Sequence, residues 1–197
     1  MIQINDLEII KANRILLKVN EMTLEDSSLN VVYGGEKSGK SLLTNTLHGF
    51  HLTYRGLIDF NNHTKQKAIT YLLNKDIHLL SKSTVYDNYL GDSKKYLEAI
   101  GEYSFIADLE KNLETKVEDL TDDKQRLVEL VIACGLNPLL LLIDDFDQCY
   151  SPTILPIVGK ILMKYKTNSG CVLFTSQKKI PDLDASYSIE NGEVIKL

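Results

Sequence analysis

Gly34-Gly35-Glu36-Lys37-Ser38-Gly39-Lys40-Ser41 directly follows the apolar run Leu29-Asn30-Val31-Val32-Tyr33 and fits the pattern G-x-x-x-x-G-K-[ST]. A strand that runs into such a loop and then into a helix predicts a phosphate-binding turn. The glycines let backbone N–H groups face inward around a phosphate, and the N-terminus of the following helix adds its positive end. Lys40 would reach the terminal phosphate oxygens, and the Ser41 hydroxyl would ligate Mg²⁺. The expected contact set is Gly34, Gly35, Glu36, Lys37, Ser38, Gly39, Lys40, Ser41 and Leu42. The bland alternative, a Gly-Ser connector, needs four fixed positions and both flanking elements to coincide by accident.

The second half of such a site should be a carboxylate at the end of a buried strand. Leu139-Leu140-Leu141-Leu142-Ile143-Asp144 supplies it, with Asp144 as the second metal-holding residue. Alone, a strand-end aspartate is more often a turn residue; beside a phosphate loop it reads as functional.

Outward from these two segments, β-branched and aliphatic runs alternate with helical patterns, as in an α/β sheet with packed helices. Strands are expected near 2–10, 15–24, 29–33, 56–60, 68–73, 139–144, 171–175, 186–189 and 193–197. Between the fifth and sixth of these there is no strand signal. Tyr96, Leu97, Ile100, Phe105, Ile106, Leu109 and Leu113, then Leu127, Leu130, Val131 and Cys134, recur at three- and four-residue steps. This predicts one domain over 1–197, with a sheet core at about 1–83 and 137–197 and an inserted helical subdomain at about 84–136. Asn191-Gly192 between two apolar runs predicts a two-residue hairpin at the C-terminal edge.

Composition narrows the function classes. The 197 residues, 44% of them hydrophobic, can bury a core without disulfide or metal staples. A net charge of −5, with no strongly basic block, disfavours nucleic-acid binding. The longest apolar runs, at 130–134 and 139–143, are far shorter than the ~20 residues of a membrane-spanning helix. Met1-Ile2-Gln3-Ile4-Asn5-Asp6 alternates like a strand and lacks the form of a secretory signal, so a cytoplasmic protein is expected. Cys134, Cys149 and Cys171 are widely spaced among apolar neighbours and read as buried thiols; His48, His51, His63 and His78 are scattered and predict no metal cluster.

With these residues in view, the chain resembles the nucleotide-binding subunit of an ATP-binding cassette (ABC) ATPase from end to end. Residues 17–25 resemble the family's second strand, 71–88 the loop joining the sheet to the helical subdomain, 113–117 the run before the signature, and 188–195 the closing hairpin. The resemblance implies an α/β P-loop NTPase fold: an ABC-type core sheet with an antiparallel N-terminal portion and an inserted helical subdomain. It also implies ATP and Mg²⁺ as ligands, and a cytoplasmic location at the inner face of the membrane beside a separately encoded integral membrane protein. A head-to-tail dimer follows, with a second copy or with another ABC ATPase subunit.

Several positions depart from the family's pattern. Its signature, L-S-G-G-Q, should begin twenty-four residues before Asp144, where this chain has Leu120-Thr121-Asp122-Asp123-Lys124. Two carboxylates stand where glycines would approach a partner's γ-phosphate, and like charges at contact repel. The same segment is also a good helix start, with Thr121 as N-cap and acidic first-turn residues. The glutamate after Walker B is Asp145, one methylene shorter, which predicts slow hydrolysis. The resemblance assigns Asp145 and Lys40 to catalysis, Ser176 to the switch-histidine position and Ser151 to the D-loop. It puts Asn74 or Lys75 at the Q-loop glutamine, and Ile10 or Lys11 at the adenine-stacking aromatic. Phosphate-holding residues are kept while those completing a hydrolytic sandwich are changed.

Two functions stay open: an ATPase subunit driving a membrane protein, or a non-hydrolysing ATP-dependent clamp acting as heteromeric partner of an intact ATPase. A small-molecule kinase would need arginines in a lid, and Arg14, Arg55 and Arg126 do not form one.

Overall fold

The computed structural model describes residues 1–51, 53–60, 70–90 and 97–197. Nine strands form one hydrogen-bonded sheet: β1 (Ile2–Lys11), β2 (Arg14–Leu24), β3 (Leu29–Tyr33), β4 (Tyr54–Asp59), β5 (Thr70–Leu73), β6 (Leu140–Ile143), β7 (Cys171–Ser176), β8 (Ala185–Glu190) and β9 (Glu193–Lys196). Their order is β4-β1-β2-β9-β8-β3-β7-β6-β5. Each predicted strand has its counterpart, with ends displaced by at most two residues among the described residues; residues 68 and 69 of the fifth expectation, like Tyr96 and His63, lie outside the described residues.

The sheet has two characters. β8, β3, β7, β6 and β5 run parallel to one another, and β3, β6 and β7 read as largely apolar runs because both faces are covered, while β9 pairs antiparallel with β8 and parallel with β2. β4, β1 and β2 pair antiparallel. The β1–β2 turn is two residues, Ala12 and Asn13, both at positive φ, a geometry matching the twist of the strands it joins. The same device, Asn191 and Gly192 at φ 51° and 77°, joins β8 to β9 as expected from sequence.

β1 carries an irregularity that its alternation hides. Ile2 and Ile4 are buried, then Leu7 and Ile9, so the phase flips at Asp6, where φ is 49°. The register with β4 slips between Asn5 and Glu8, and Gly56 of β4 sits so close that a Cβ there would lie 2.2 Å from the Asp6 carbonyl oxygen. Only glycine fits against this bulge.

Helices cover both faces: α1 (Lys40–His48), α2 (Val85–Leu90), α3 (Leu97–Ile106), α4 (Asp122–Gly135), α5 (Phe146–Cys149) and α6 (Leu155–Thr167). Between β5 and β6 the described residues hold α2, α3, α4 and two single 3₁₀ turns, with an isolated Thr84–Lys116 bridge and no strand. α6 was not anticipated from the sequence. Its Val158, Ile161, Leu162 and Tyr165 recur at helical spacing and are buried.

The parallel strands separate two hydrophobic cores. Leu141 and Ile143 of β6 face one core, with α4, α6 and the helical segment; Leu140 and Leu142 face the other, with Leu43 and Leu47 of α1 and the antiparallel strands. The three cysteines are free and buried, and burial pushes the Cys134 thiol well up.

Candidate functional site

The loop after β3 is shaped by two residues in the left-handed region, Lys37 at φ 60° and Gly39 at φ 112°. Glycine adopts such a conformation freely; Lys37 does so at a cost. Gly34 N–H donates to the Ser176 carbonyl (3.2 Å), tying the loop to the end of β7, and Ser38 N–H donates to Gly35 O (3.3 Å). α1 then begins at Lys40 with Gly39 as N-cap, no side-chain capping bond and no acidic residue in its first turn. Its leading N–H groups are thereby left for an external acceptor.

Lys40 is buried at 5% exposure. Its Nζ donates to the carbonyls of Gly34 and Gly35, each at 2.9 Å, and stands 3.7 Å from Asp145 Oδ1, an ion pair beyond hydrogen-bond reach. Ser38 Oγ and Asp145 Oδ1 are buried with no hydrogen-bond partner. Such orphaned polar atoms are costly unless something else satisfies them.

β6 delivers the two carboxylates. Asp144 is nearly buried; its N–H donates to Leu73 O (2.8 Å) and its Oδ1 accepts from Thr175 Oγ1 (2.6 Å). Thr175 Oγ1 also accepts from Asp145 N–H (2.8 Å), so one hydroxyl of β7 sets both residues. Asp145 turns at φ 50°. Burial, with the adjacent Asp144 charge, raises its carboxyl above the ordinary value, and Lys40 opposes the shift.

These groups share one cavity of about 920 Å³ at the C-terminal ends of β3, β5, β6 and β7. Residues 36–42 line it, together with Asp144 and Asp145. Gly34 and Gly35 do not line it, because their carbonyls turn to Lys40. Ser41 and Asp144 both face this space, and among the described residues no cluster of three or more His, Cys, Asp or Glu could cage a metal. That donor set fits Mg²⁺, which takes one or two protein oxygens and completes its shell with water and phosphate.

The altered positions are placed as follows. Asn74, Lys75 and Lys11 line the cavity, as does Leu16, which is 43% exposed; Ile10 does not line it. Ser176 does not line it either. It is fully buried, with Oγ donating to Lys178 O (2.8 Å) and accepting from Lys178 N–H (3.0 Å). The residue of that strand end that does line the cavity is Gln177, whose N–H donates to Asp147 Oδ1 (3.1 Å). Gln148 lines it too, and neither glutamine was singled out from sequence. Their signal was position alone, one residue beyond β7 and three beyond Asp145.

A second cavity, of about 690 Å³, adjoins the first between residues 75–77, the start of α4 and residues 147–152. Thr121 is the N-cap of α4, as expected, but its side chain makes no capping bond. Asp123 Oδ2 instead accepts from Ser151 Oγ (2.8 Å), which joins the signature-position and D-loop-position segments within one chain.

Among the described residues, no helix is long and apolar enough to cross a membrane. A family model described as ABC transporter matches residues 17–147. The tungstate uptake system ATP-binding protein TupC of Campylobacter jejuni is 24% identical over 213 residues, an alignment covering all of this chain and 63% of that protein. The chain therefore spans less than two thirds of that curated relative. A solved ATP-binding subunit of an ABC transporter superposes with a TM-score of 0.85 at 18% identity, covering 98% of this chain and 87% of that one. CbiO1 of Clostridium perfringens, part of the CbiONQ complex, superposes at 0.82 and 18% identity, covering 98% and 86%.

Proposed function

This chain belongs to the ABC transporter family, and from that premise we propose that it is an ATP-binding subunit coupling Mg-ATP binding, with slow hydrolysis, to a separately encoded integral membrane protein. The observation that carries this reading is the single cavity into which Lys40, Ser41, Asp144 and Asp145 converge.

Each side chain has a role there. Lys40 exchanges its loop carbonyls for terminal phosphate oxygens, and the uncapped start of α1 receives a phosphate through its N–H groups. Ser41 and Asp144 would hold Mg²⁺, with Thr175 fixing the Asp144 carboxylate. When bound, the metal would supply positive charge to offset that of the phosphates. Asp145 orients the attacking water and accepts its proton, and its short side chain limits the reach.

In this reading residues 84–136 act as the helical subdomain that engages the membrane partner, and 1–83 with 137–197 hold nucleotide. The protein works at the inner face of the membrane, as a dimer with itself or with another ABC ATPase. The buried Ser176, turned onto Lys178, favours a second reading, a non-hydrolysing clamp whose assembly follows nucleotide occupancy.

Titration with labelled ATP and Mg²⁺, run beside a phosphate-release assay, tests both. Binding with slow release supports the first reading, binding without release even with partners present supports the second, and absence of binding ends both. Recovery of no integral membrane protein in pull-downs from membranes would remove the coupling.

A further inference from the structure

α4 carries a charged residue that the surrounding structure buries. Leu127, Leu130, Val131 and Cys134 make its apolar stripe, yet Glu129, on the opposite side of the helix, is also only 2% exposed. An unpaired carboxylate in such a place is expensive. Its partners come from one side of the molecule. Glu129 Oε1 accepts from His78 N–H at 2.8 Å, and Glu129 Oε2 is 3.7 Å from Nη1 of Arg126, one helical turn earlier.

Arg126 reaches the same loop. Its Nη1 donates to Asn74 O at 2.6 Å and its Nη2 to Lys75 O. The loop after β5 leaves two carbonyls and an amide that no strand or helix satisfies, and the Arg126–Glu129 pair supplies all three partners. Asn74, Lys75 and Asp76 line the nucleotide cavity, so a wall of that cavity is bonded to α4. At its N-terminus α4 is bonded again, through Asp123 to Ser151.

We infer that Arg126 and Glu129 are a positioning pair that joins the 74–78 wall of the nucleotide cavity to α4, so that nucleotide occupancy is passed to the acidic segment 120–124. The inference rests on the reading of the cavity as an ATP site. A guanidinium suits the task because its planar fork donates to two carbonyls at once, which an ammonium cannot do with the same fixed geometry.

Hydrogen exchange of the full chain with and without Mg-ATP tests it. In the wild type, nucleotide should protect residues 34–42, 74–80 and 120–129. In Arg126→Gln and Glu129→Gln, protection of 34–42 should persist while nucleotide-induced protection of 120–129 falls by about 5-fold or more, the lower range of a typical site-to-site coupling. Arg126→Lys keeps the charge and the Glu129 ion pair, and should retain an intermediate response; it also serves if the glutamine variants fold poorly. Undiminished protection of 120–129 in these variants, with 34–42 protected, overturns the positioning pair alone. Absence of protection at 34–42 in the wild type overturns the ATP reading, and the inference with it.

Discussion

α1 and α4 both open beside the cavities at the C-terminal ends of the parallel strands, and both begin without a side-chain capping bond. Their electrostatics are opposite. α1 starts after Gly39, has no acidic residue in its first turn and presents Lys40; α4 starts after Thr121 and puts Asp122 and Asp123 there. The carboxylates suit the helix itself, since negative charge at an N-terminus complements the macrodipole. They also fill the place where a phosphate would be drawn. An uncapped helix start is thus left open to an anion in one element and balanced by its own carboxylates in the other, and side-chain charge makes the difference.

The comparison can be broken most forcefully from the α1 side. Lys40→Ala should weaken ATP binding by about 100-fold or more, because no other group of the loop replaces a cation hydrogen-bonded to phosphate. Calorimetric titration would show it, and near-normal affinity would mean that the N–H groups alone suffice. From the α4 side, Asp122→Gly with Asp123→Gly should strengthen ATP-dependent self-association about 10-fold, seen by sedimentation with Mg-ATP, by removing like charge from the approach of a partner's phosphate. The same change should cost about 1–2 kcal/mol of helix stability, from two glycines in the first turn.

Ser176→His asks whether identity alone can restore a missing group. Ser176 is fully buried and engaged with Lys178, so the larger ring should cost about 1–3 kcal/mol in denaturant unfolding and leave phosphate release unchanged. A rise in turnover would show that the strand end repacks to admit the ring. The smallest effect is expected from Lys37→Gly. Relieving a left-handed side-chain residue at φ 60° should stabilise the protein by about 1 kcal/mol, a gain of about 2–4 °C in melting temperature at this chain length.

Much of the α1 side was legible in the sequence and much of the α4 side was not. The phosphate loop, the leucine-rich β6 and the Asn191-Gly192 hairpin declare themselves because each is a local pattern with one dominant cause. α6 was visible in principle in Val158, Ile161, Leu162 and Tyr165, although Pro156 and the lack of acidic first-turn residues blur its start. The inward turn of Ser176 was not legible, because it depends on a side chain bonding the backbone two residues ahead. The bonds from Arg126 and Glu129 to residues 51 or 52 positions earlier follow from how α4 lies against the sheet, which no local spacing encodes. Asp122 and Asp123 were plain as residues, but the tie from Asp123 to Ser151 needed the fold.

β6 has a consequence for how this protein tolerates change in length. Its side chains go alternately to two separate cores, and the strand leads directly into Asp144, whose carboxylate accepts from Thr175. Removing a single leucine would exchange the two sets and swing Asp144 to the wrong side of the pleat, whereas removing two would keep the parity and only shorten the strand. In this segment genetic drift by odd steps is closed, and the Asp144 carboxylate is guarded by arithmetic as much as by its own chemistry.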